Sequence, residues 1–254
     1  YVRDALTGSF TGMDKGAIGA AFAAFLARPL ELFGWHSLFM MLTIAIVAMG
    51  VSKGLERGSR LLMPALGLIL IMLVGYGATT GSFGAAASYL FNPDWSKLNG
   101  TVLLAALGHA FFTLSLGMGI MMAYGSYLGE EVNLLRAART VVLMDTTFAL
   151  CAGMALFPIV FANGLDPAAG PGLVFVNLPL AFGNISGGLV LGTLFFLLLS
   201  FAALTSSISL LEPVVELLEE RTALGRVGAT LVAGLTIWAL GISALLSFNL
   251  WSEV

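Results

Sequence analysis

Six apolar segments, each about as long as one crossing of a bilayer, constrain this chain more than any other feature of its sequence. A helix needs about 20 predominantly apolar residues to cross a hydrocarbon core of about 30 Å. Hydrophobic residues make up 59% of the chain and charged residues only 10%, so an ordinary soluble domain is excluded and an all-α integral membrane protein is predicted. The candidate spans lie near residues 35–52, 61–80, 101–127, 139–163, 187–212 and 227–248.

The placement of basic residues predicts the orientation of these spans. Short cytoplasmic loops of membrane proteins carry an excess of Lys and Arg. The opposite connections contain turn residues and, as their one base, Lys97, so they are predicted to be extracellular. The basic residues cluster in three alternate connections, predicted to be cytoplasmic: Lys53, Arg57 and Arg60; Arg136 and Arg139; Arg221 and Arg226.

The segment before the first span is apolar but interrupted. AIGAAFAAFLARPLELF (17–33) contains Arg28 and Pro29, which favours a short interfacial helix or a structured loop over a crossing. The chain opens at Tyr1 without an initiator Met or a signal peptide, so we expect it to be a piece of a longer protein.

The stretch TLSLGMG (113–119) places two hydroxyls and two glycines inside an apolar span. Because every backbone polar group in hydrocarbon must be paired, a helix break there needs protein or a watery cavity around it. The break either releases polar groups to hold a substrate and ions or lets small residues pack closely against a neighbouring helix. These seven residues alone leave both interpretations open.

A second polar cluster lies in FAALTSSISLLEP (201–213). Ala202, Thr205 and Ser206 stand at i, i+3 and i+4, on one helix face, so a carbonyl and two hydroxyls can converge. Hard cations prefer oxygen ligands, and an uncharged set suits sodium better than a divalent ion. The alternative is that these hydroxyls bond only to carbonyls of their own helix.

Asp145 lies within the apolar run VVLMDTTFALCAGMALF, where an acid at mid-helix costs about 2.5–3.5 kcal/mol. An intramembrane acid is a candidate for function, although Asp145 follows Arg139 by six residues and can alternatively reach the cytoplasmic interface. Glu212, just before Pro213, is predicted to be structural, and His109 a hydrogen-bonded packing residue. Cys151 and the two histidines have no metal-ligand spacing, so no disulfide, redox or zinc chemistry is predicted.

GHAFFTLSLGMGIMMAYGSYL (108–128) and LTSSISLLEP (204–213) together resemble the neurotransmitter:sodium symporter family, in its bacterial amino-acid-transporting branch. The resemblance extends in order over essentially the whole chain and implies a partial LeuT-like inverted-repeat transporter bundle with a broken sixth span. Further matching stretches are VSKGLERGSRLLMPAL (51–66), NPDWSKL (92–98), GPGLVFVNLPLAFG (170–183) and SFNLWSEV (247–254).

By this resemblance the chain carries the fourth to ninth spans of a longer transporter, without the broken first span. A chain of these 254 residues alone is therefore not expected to transport, whereas its parent is. The implied segments are an extracellular loop with a short interfacial helix (1–34), spans four and five (35–80), an extracellular loop (81–100), spans six and seven (101–163), an extracellular loop (164–186), spans eight and nine (187–248) and an extracellular end (249–254).

The family's roles carry over onto matching positions. Thr113 and Asp145 would ligate a first sodium ion, and Ala202, Thr205 and Ser206 a second. The resemblance further implies that Tyr127 and Glu220 belong to a cytoplasmic gate, although a solvated acidic helix end is an equal alternative for Glu220. The substrate-binding residues would be Phe112 (as a lid), Thr113, Ser115, Met118, Ser206 and Leu210.

Asp145 stands where the family usually has an Asn ligand, and Ala149 where some chloride-independent members place an acid. We expect Asp145 to supply both the ligand and the charge, so that chloride is not required. No organic cofactor is expected.

The function implied is sodium-coupled symport of a neutral or hydrophobic amino acid across the bacterial inner membrane by alternating access, with lipid and the parent's other spans as partners and no nucleic acid. A passive channel or a ligand-sensing relative that does not transport is the alternative. An intramembrane hydrolase using His109, Ser115 and Asp145 is disfavoured, because His109 and Ser115 are six residues apart, about 240° around a helix. No helix face predicts an oligomeric state.

Overall fold

The computed structural model describes residues 1–50, 56–165, 167, 170 and 172–251, with only the backbone for 56–59, and its regular elements over these residues are all helical. Lys53 and the side chain of Arg57, two of the predicted cytoplasmic bases, therefore lie outside the described residues. The helices are α1 (Val2–Leu6), α2 (Lys15–Leu26), α3 (Pro29–Ala48), α4 (Glu56–Thr79), α5 (Phe83–Phe91), α6 (Gly100–Thr113), α7 (Ile120–Ser126), α8 (Leu134–Ala162), α9 (Leu178–Asn184), α10 (Gly188–Arg221) and α11 (Arg226–Leu246). A 3-10 turn at Trp95–Lys97 and a π-helical turn at Leu173–Asn177 complete them.

Five described helices are long and apolar enough to cross a membrane: α3, α4, α8, α10 and α11. The one remaining predicted crossing, residues 101–127, is divided between α6, with 14 residues, and α7, with 7. At 1.5 Å per residue these pieces measure about 21 Å and about 10 Å, so neither crosses the bilayer alone. The prediction of a multi-pass membrane protein with a broken span is confirmed.

The limits of the crossings differ from those predicted by hydropathy, most of all in α3 and α10. Helix α3 begins at Pro29, with Arg28 as its N-cap, because proline suits the first helical turn. Helix α10 continues past Pro213 to Arg221, for 34 residues. Its last turns are rich in Glu, which lowers hydropathy but favours helix. Helix α2, within the interrupted segment, has 12 residues.

The chain divides into two compact units, and the division falls within α4. Unit one consists of residues 1–69 and 166–254. Its central element is α10, against which α1, α3, α9 and α11 pack. Helices α3 and α11 approach closely because Gly234 has no side chain, and a Cβ added there would clash with Ile44.

Unit two consists of residues 70–165. Helix α5 packs against α8, with the Tyr89 ring 5.0 Å from that of Phe157 and 5.6 Å from that of Phe161. The end of α4 also meets α8, where a Cβ added at Gly77 would lie 3.1 Å from the carbonyl oxygen of Met154. The broken span, α6 and α7, belongs to this unit.

Candidate functional site

The break in unit two is built by the backbone of residues 111–119. Helix α6 ends with two overlapping hydrogen bonds, from the Leu116 amide to the Phe111 carbonyl (2.8 Å) and from the Ser115 amide to the Phe112 carbonyl (3.1 Å). This is the Schellman pattern that terminates many helices. It requires one residue in the left-handed conformation, and that residue is Ser115, with φ of 56°.

Ser115 is unusual in this position, which is ordinarily taken by glycine. Among the described residues it alone combines a side chain with a positive φ. A left-handed conformation costs a residue with a Cβ roughly 1–2 kcal/mol. The chain then turns through Gly117 (φ 81°) and Gly119 (φ 78°), and Gly119 caps α7. The glycines therefore serve the turn, while the serine adds a hydroxyl at the cost of strain.

The predicted substrate residues of unit two surround this turn. Phe112, in the last turn of α6, is 73% exposed, and Met118 is 40% exposed. Within the residues that the structure describes, the Thr113 hydroxyl makes only a long contact, 3.4 Å, to the Ala110 carbonyl. These groups thus lie beside the break, and their side chains are exposed at the surface of unit two.

Asp145 is half-buried and lies in α8, six residues or about 9 Å beyond Arg139. Within the described part of the chain, its carboxylate has no hydrogen-bond or salt-bridge partner. The following residue, Thr146, bonds to the Val142 carbonyl of its own helix at 2.9 Å. Over the same described residues, no hydrogen bond joins Ser115 to His109 or to Asp145.

The oxygen cluster in unit one lies at the middle of α10. The Thr205 hydroxyl donates to the Ala202 carbonyl at 2.9 Å, so two of the three predicted ligand oxygens lie side by side. Ser206 is exposed, and Leu210, one turn further on, is 50% exposed. Ile208 and Leu211, between and after them, are 5% and 2% exposed and pack into the unit. The polar face of α10 is thus turned away from the core of unit one.

An ion-pair network that the sequence analysis did not identify lies nearer the end of α10. Glu212 is fully buried and accepts a hydrogen bond from Arg226, at the start of α11. Arg226 also donates to Glu219 at 3.2 Å and, through two nitrogens, to the Val47 carbonyl of α3 at 3.1 Å. Glu212, predicted to be structural, is thus paired inside unit one. The sequence signal for this pairing was a short connection, residues 222–225, between the acidic end of α10 and the basic start of α11.

The two predicted gate residues lie in different units. Tyr127 caps the end of α7 and is 39% exposed. Glu220 is exposed in the last turn of α10, and its neighbour Glu219, not Glu220, binds Arg226.

Comparisons with known proteins agree on one family. A sequence profile of the sodium:neurotransmitter symporter family matches residues 32–247. YhdH of Bacillus subtilis, described as an uncharacterized sodium-dependent transporter, is 37% identical over all of this chain and 56% of its own length. Another uncharacterized sodium-dependent transporter, from Haemophilus influenzae, is 36% identical over 89% of this chain and 50% of its own length.

A solved structure matches over the same extent. The crystal structure of MhsT in complex with L-phenylalanine superposes with a TM-score of 0.88 at 45% sequence identity, covering 100% of this chain and 58% of MhsT. The chain thus spans about half the length of the relatives that it matches.

Proposed function

Because the chain belongs to the sodium:neurotransmitter symporter family, we propose that it is part of a longer transporter that couples inward sodium movement to amino-acid uptake. The observation that carries the proposal is the interrupted helix between Thr113 and Gly119. A membrane helix that ends in mid-span leaves polar groups available only where they hold a ligand or another protein segment. Relatives named as sodium-dependent transporters support the first use.

In unit two, Thr113 and Asp145 are the proposed ligands of a first sodium ion. The Thr113 hydroxyl is only weakly held by its own helix, at 3.4 Å from the Ala110 carbonyl, so its oxygen is available. The Asp145 carboxylate supplies a negative charge that offsets the cation within the membrane. With that charge built into the chain, chloride is not required. Phe112, Ser115 and Met118 are the proposed substrate contacts of this unit.

In unit one, Ala202, Thr205 and Ser206 are the proposed ligands of a second sodium ion. Their chemistry fits, since one carbonyl and two hydroxyl oxygens are hard, uncharged ligands. The Thr205 hydroxyl donates to the Ala202 carbonyl at 2.9 Å, so these two oxygens lie side by side, as they do at other threonines bonded to their own helix. Ser206 and Leu210 are the proposed substrate contacts of this unit.

The proposed substrate is a neutral or hydrophobic amino acid. Phe112, Met118 and Leu210 offer apolar side chains, and MhsT was solved with L-phenylalanine bound. Transport would proceed by alternating access, with Tyr127 and Glu220 at the cytoplasmic gate. Each sodium ion contributes about 2.3 kcal/mol per 100 mV of membrane potential, in addition to its concentration gradient.

The test is binding of a radiolabelled amino-acid panel to the full-length parent in detergent, in sodium and in potassium buffer. Thr205→Val and Asp145→Ala remove one proposed ligand each. Thr193→Val is the matched control, because Thr193 lies in the same helix and its hydroxyl, among the described residues, bonds only to the Leu189 carbonyl, at 2.7 Å.

We expect binding in sodium alone, its loss in Thr205→Val and Asp145→Ala, and its retention in Thr193→Val. Equal binding in sodium and potassium would refute the coupling and favour a ligand-sensing relative or a channel. Uptake into proteoliposomes under a sodium gradient then separates a transporter, which accumulates substrate, from those two alternatives.

A further inference from the structure

Helices α3 and α10 are joined by a hydrogen bond between a buried and a half-buried hydroxyl. The oxygens of Thr43 and Ser207 lie 2.8 Å apart, and Thr43 is only 1% exposed. Each hydroxyl also lies within hydrogen-bond distance of a carbonyl of its own helix, Phe39 at 3.1 Å and Leu204 at 2.9 Å. Since each hydroxyl has one proton, only two of these three contacts can be hydrogen bonds at one time, for example from Thr43 to Ser207 and from Ser207 to the Leu204 carbonyl.

This contact lies behind the proposed sodium ligands of α10. Successive residues of a helix are rotated by about 100°, so Ala202, Thr205 and Ser206 occupy an arc of about 100°. Ser207 is about 150° from the centre of that arc, on the opposite side of the helix. The bond to Thr43 therefore holds the side of α10 that is opposite the proposed ligands, while the other side carries the ligand oxygens.

The apolar packing of α10 does not define the rotation of this turn as closely, and the Glu212–Arg226 pair lies five residues further along the helix. Ile208, Leu211 and Val215 are buried on the packed side, but contacts between apolar groups have little directional preference. A hydrogen bond has a narrow range of distance and angle. The Ser207 hydroxyl, which bonds to Thr43, also bonds to the Leu204 carbonyl in the backbone of α10. The contact therefore limits both rotation and sliding of the turn that carries Thr205.

Small rotations matter to an ion site. A side-chain oxygen about 5 Å from the helix axis moves by about 0.9 Å when the helix turns by about 10°. Ligand distances in metal sites hold to about 0.2 Å. A contact that keeps α10 within a few degrees therefore affects ion affinity far more than it affects the stability of the fold, to which hydrogen bonds between membrane helices contribute little.

We propose that Thr43 and Ser207 are positioning residues for the sodium site on α10, holding Ala202, Thr205 and Ser206 at the rotation that ion binding requires. This inference rests on the proposed function. Neither residue contacts the ion, and both act through the orientation of the helix. Groups behind the direct ligands of a metal commonly influence its affinity in this way.

The experiment measures binding of ²²Na⁺ to the full-length parent in detergent, without amino acid. Thr43→Val and Ser207→Ala each remove one hydroxyl of the pair, and Thr43→Ser keeps it. Thr230→Val is the matched control, because Thr230 is a fully buried threonine of the same unit, and over the described part of the chain its hydroxyl bonds only to the Arg226 carbonyl of its own helix, at 2.8 Å. In Thr43→Val, Ser207 keeps its bond to Leu204, so no buried hydroxyl loses its last partner.

We expect Thr43→Val and Ser207→Ala to weaken sodium binding about tenfold. The double variant should be no weaker than either single one, because both remove the same contact. Thr43→Ser and Thr230→Val should bind like the unchanged protein, and all variants should unfold at similar temperatures in potassium buffer. Phenylalanine capacity at saturating sodium should also be unchanged.

The positioning role would be overturned if Thr43→Val and Ser207→Ala bound sodium with the same affinity as Thr230→Val. Thr205→Val distinguishes this from failure of the proposed function. If Thr205→Val loses one of the two proposed sodium ions while the pair variants bind sodium like the unchanged protein, the ion site on α10 stands and the positioning role falls. If Thr205→Val binds sodium as well as the unchanged protein, the ion site itself is wrong and the inference falls with it.

Discussion

Arg226, the first residue of α11, donates a hydrogen bond to the fully buried carboxylate of Glu212 in α10. The pair joins the two helices within unit one, and the further bonds from Arg226 to the Val47 carbonyl connect α3 to the same point. A buried charge is tolerated only when it is paired and hydrogen-bonded. The guanidinium of Arg226 therefore connects three long helices, α3, α10 and α11.

Glu212→Gln is expected to lower the free energy of unfolding of the full-length parent. The change removes the charge that compensates Arg226, but Glu219 remains 3.2 Å from the guanidinium. We therefore expect a loss of about 1–3 kcal/mol, below the about 3–5 kcal/mol typical when a buried ion pair loses one partner. The measurement is thermal unfolding in detergent. Glu220→Gln, an exposed acid of the same helix, should stay within about 0.5 kcal/mol, and equal effects of the two changes would contradict a special role for Glu212.

Substitutions at Ser115 should separate backbone strain from hydroxyl chemistry. Ser115 adopts a left-handed φ of 56°, which glycine tolerates and alanine does not. The left-handed strain costs alanine more than glycine loses through its greater freedom in the unfolded chain, so we expect Ser115→Gly to be more stable than Ser115→Ala by about 0.5–1 kcal/mol. Thermal unfolding of both variants measures the difference. Substrate affinity should fall equally in both if the hydroxyl contacts the substrate, and an alanine variant as stable as the glycine variant would argue against strain.

Asp145 is expected to determine the response to chloride. Sodium-dependent amino-acid binding by the unchanged parent should be the same in chloride and in gluconate, because the carboxylate already supplies the negative charge. Asp145→Asn keeps an oxygen ligand but removes that charge, so binding should weaken in gluconate and be partly restored by chloride. Loss of binding by the unchanged parent in gluconate would contradict this role. Thr147→Val, whose hydroxyl bonds to Leu143 in the same helix at 2.7 Å, is the control.

Gly234→Ala should weaken the contact between α3 and α11. A Cβ at residue 234 would clash with Ile44, and relieving that overlap typically costs about 1–3 kcal/mol. The matched control is Gly228→Ala in the same helix, where the added Cβ would lie 3.4 Å from Leu224, an ordinary contact. That change should be neutral or stabilising by up to about 1 kcal/mol, because alanine is the better helix former. Thermal unfolding of the two variants gives the comparison, and equal stabilities would show that α3 and α11 do not meet at Gly234.

The location of the helix break could be predicted from the sequence because its causes are local. Two glycines and two hydroxyls within TLSLGMG interrupt an apolar run, and the turn forms there with Gly117 and Gly119 at positive φ. The assignment of the left-handed helix cap to Ser115 could not be predicted, since glycine is the ordinary choice and two glycines lie nearby. Which residue takes that conformation depends on how the last turn of α6 closes.

The limits of the long helices were only partly predictable, because hydropathy and helicity are different properties. The apolar run of α10 ends near Glu212, yet the helix continues to Arg221 through residues that are polar but favour helix. Glu212 thus lies nine residues from the end of its helix, which is what allows it to be buried against α11.

The sequence by itself determined the membrane class, the apolar crossings, the position of the broken span and the family, because composition, periodicity and motifs are properties of neighbouring residues. Only the tertiary structure decided which polar groups pair across helices. Thr43 and Ser207 are 164 residues apart, and Arg226 and Glu212 are 14 apart on different helices. Hydrogen bonds and ion pairs act over a few ångströms, so they exist only once helix packing has brought such distant residues to the same place.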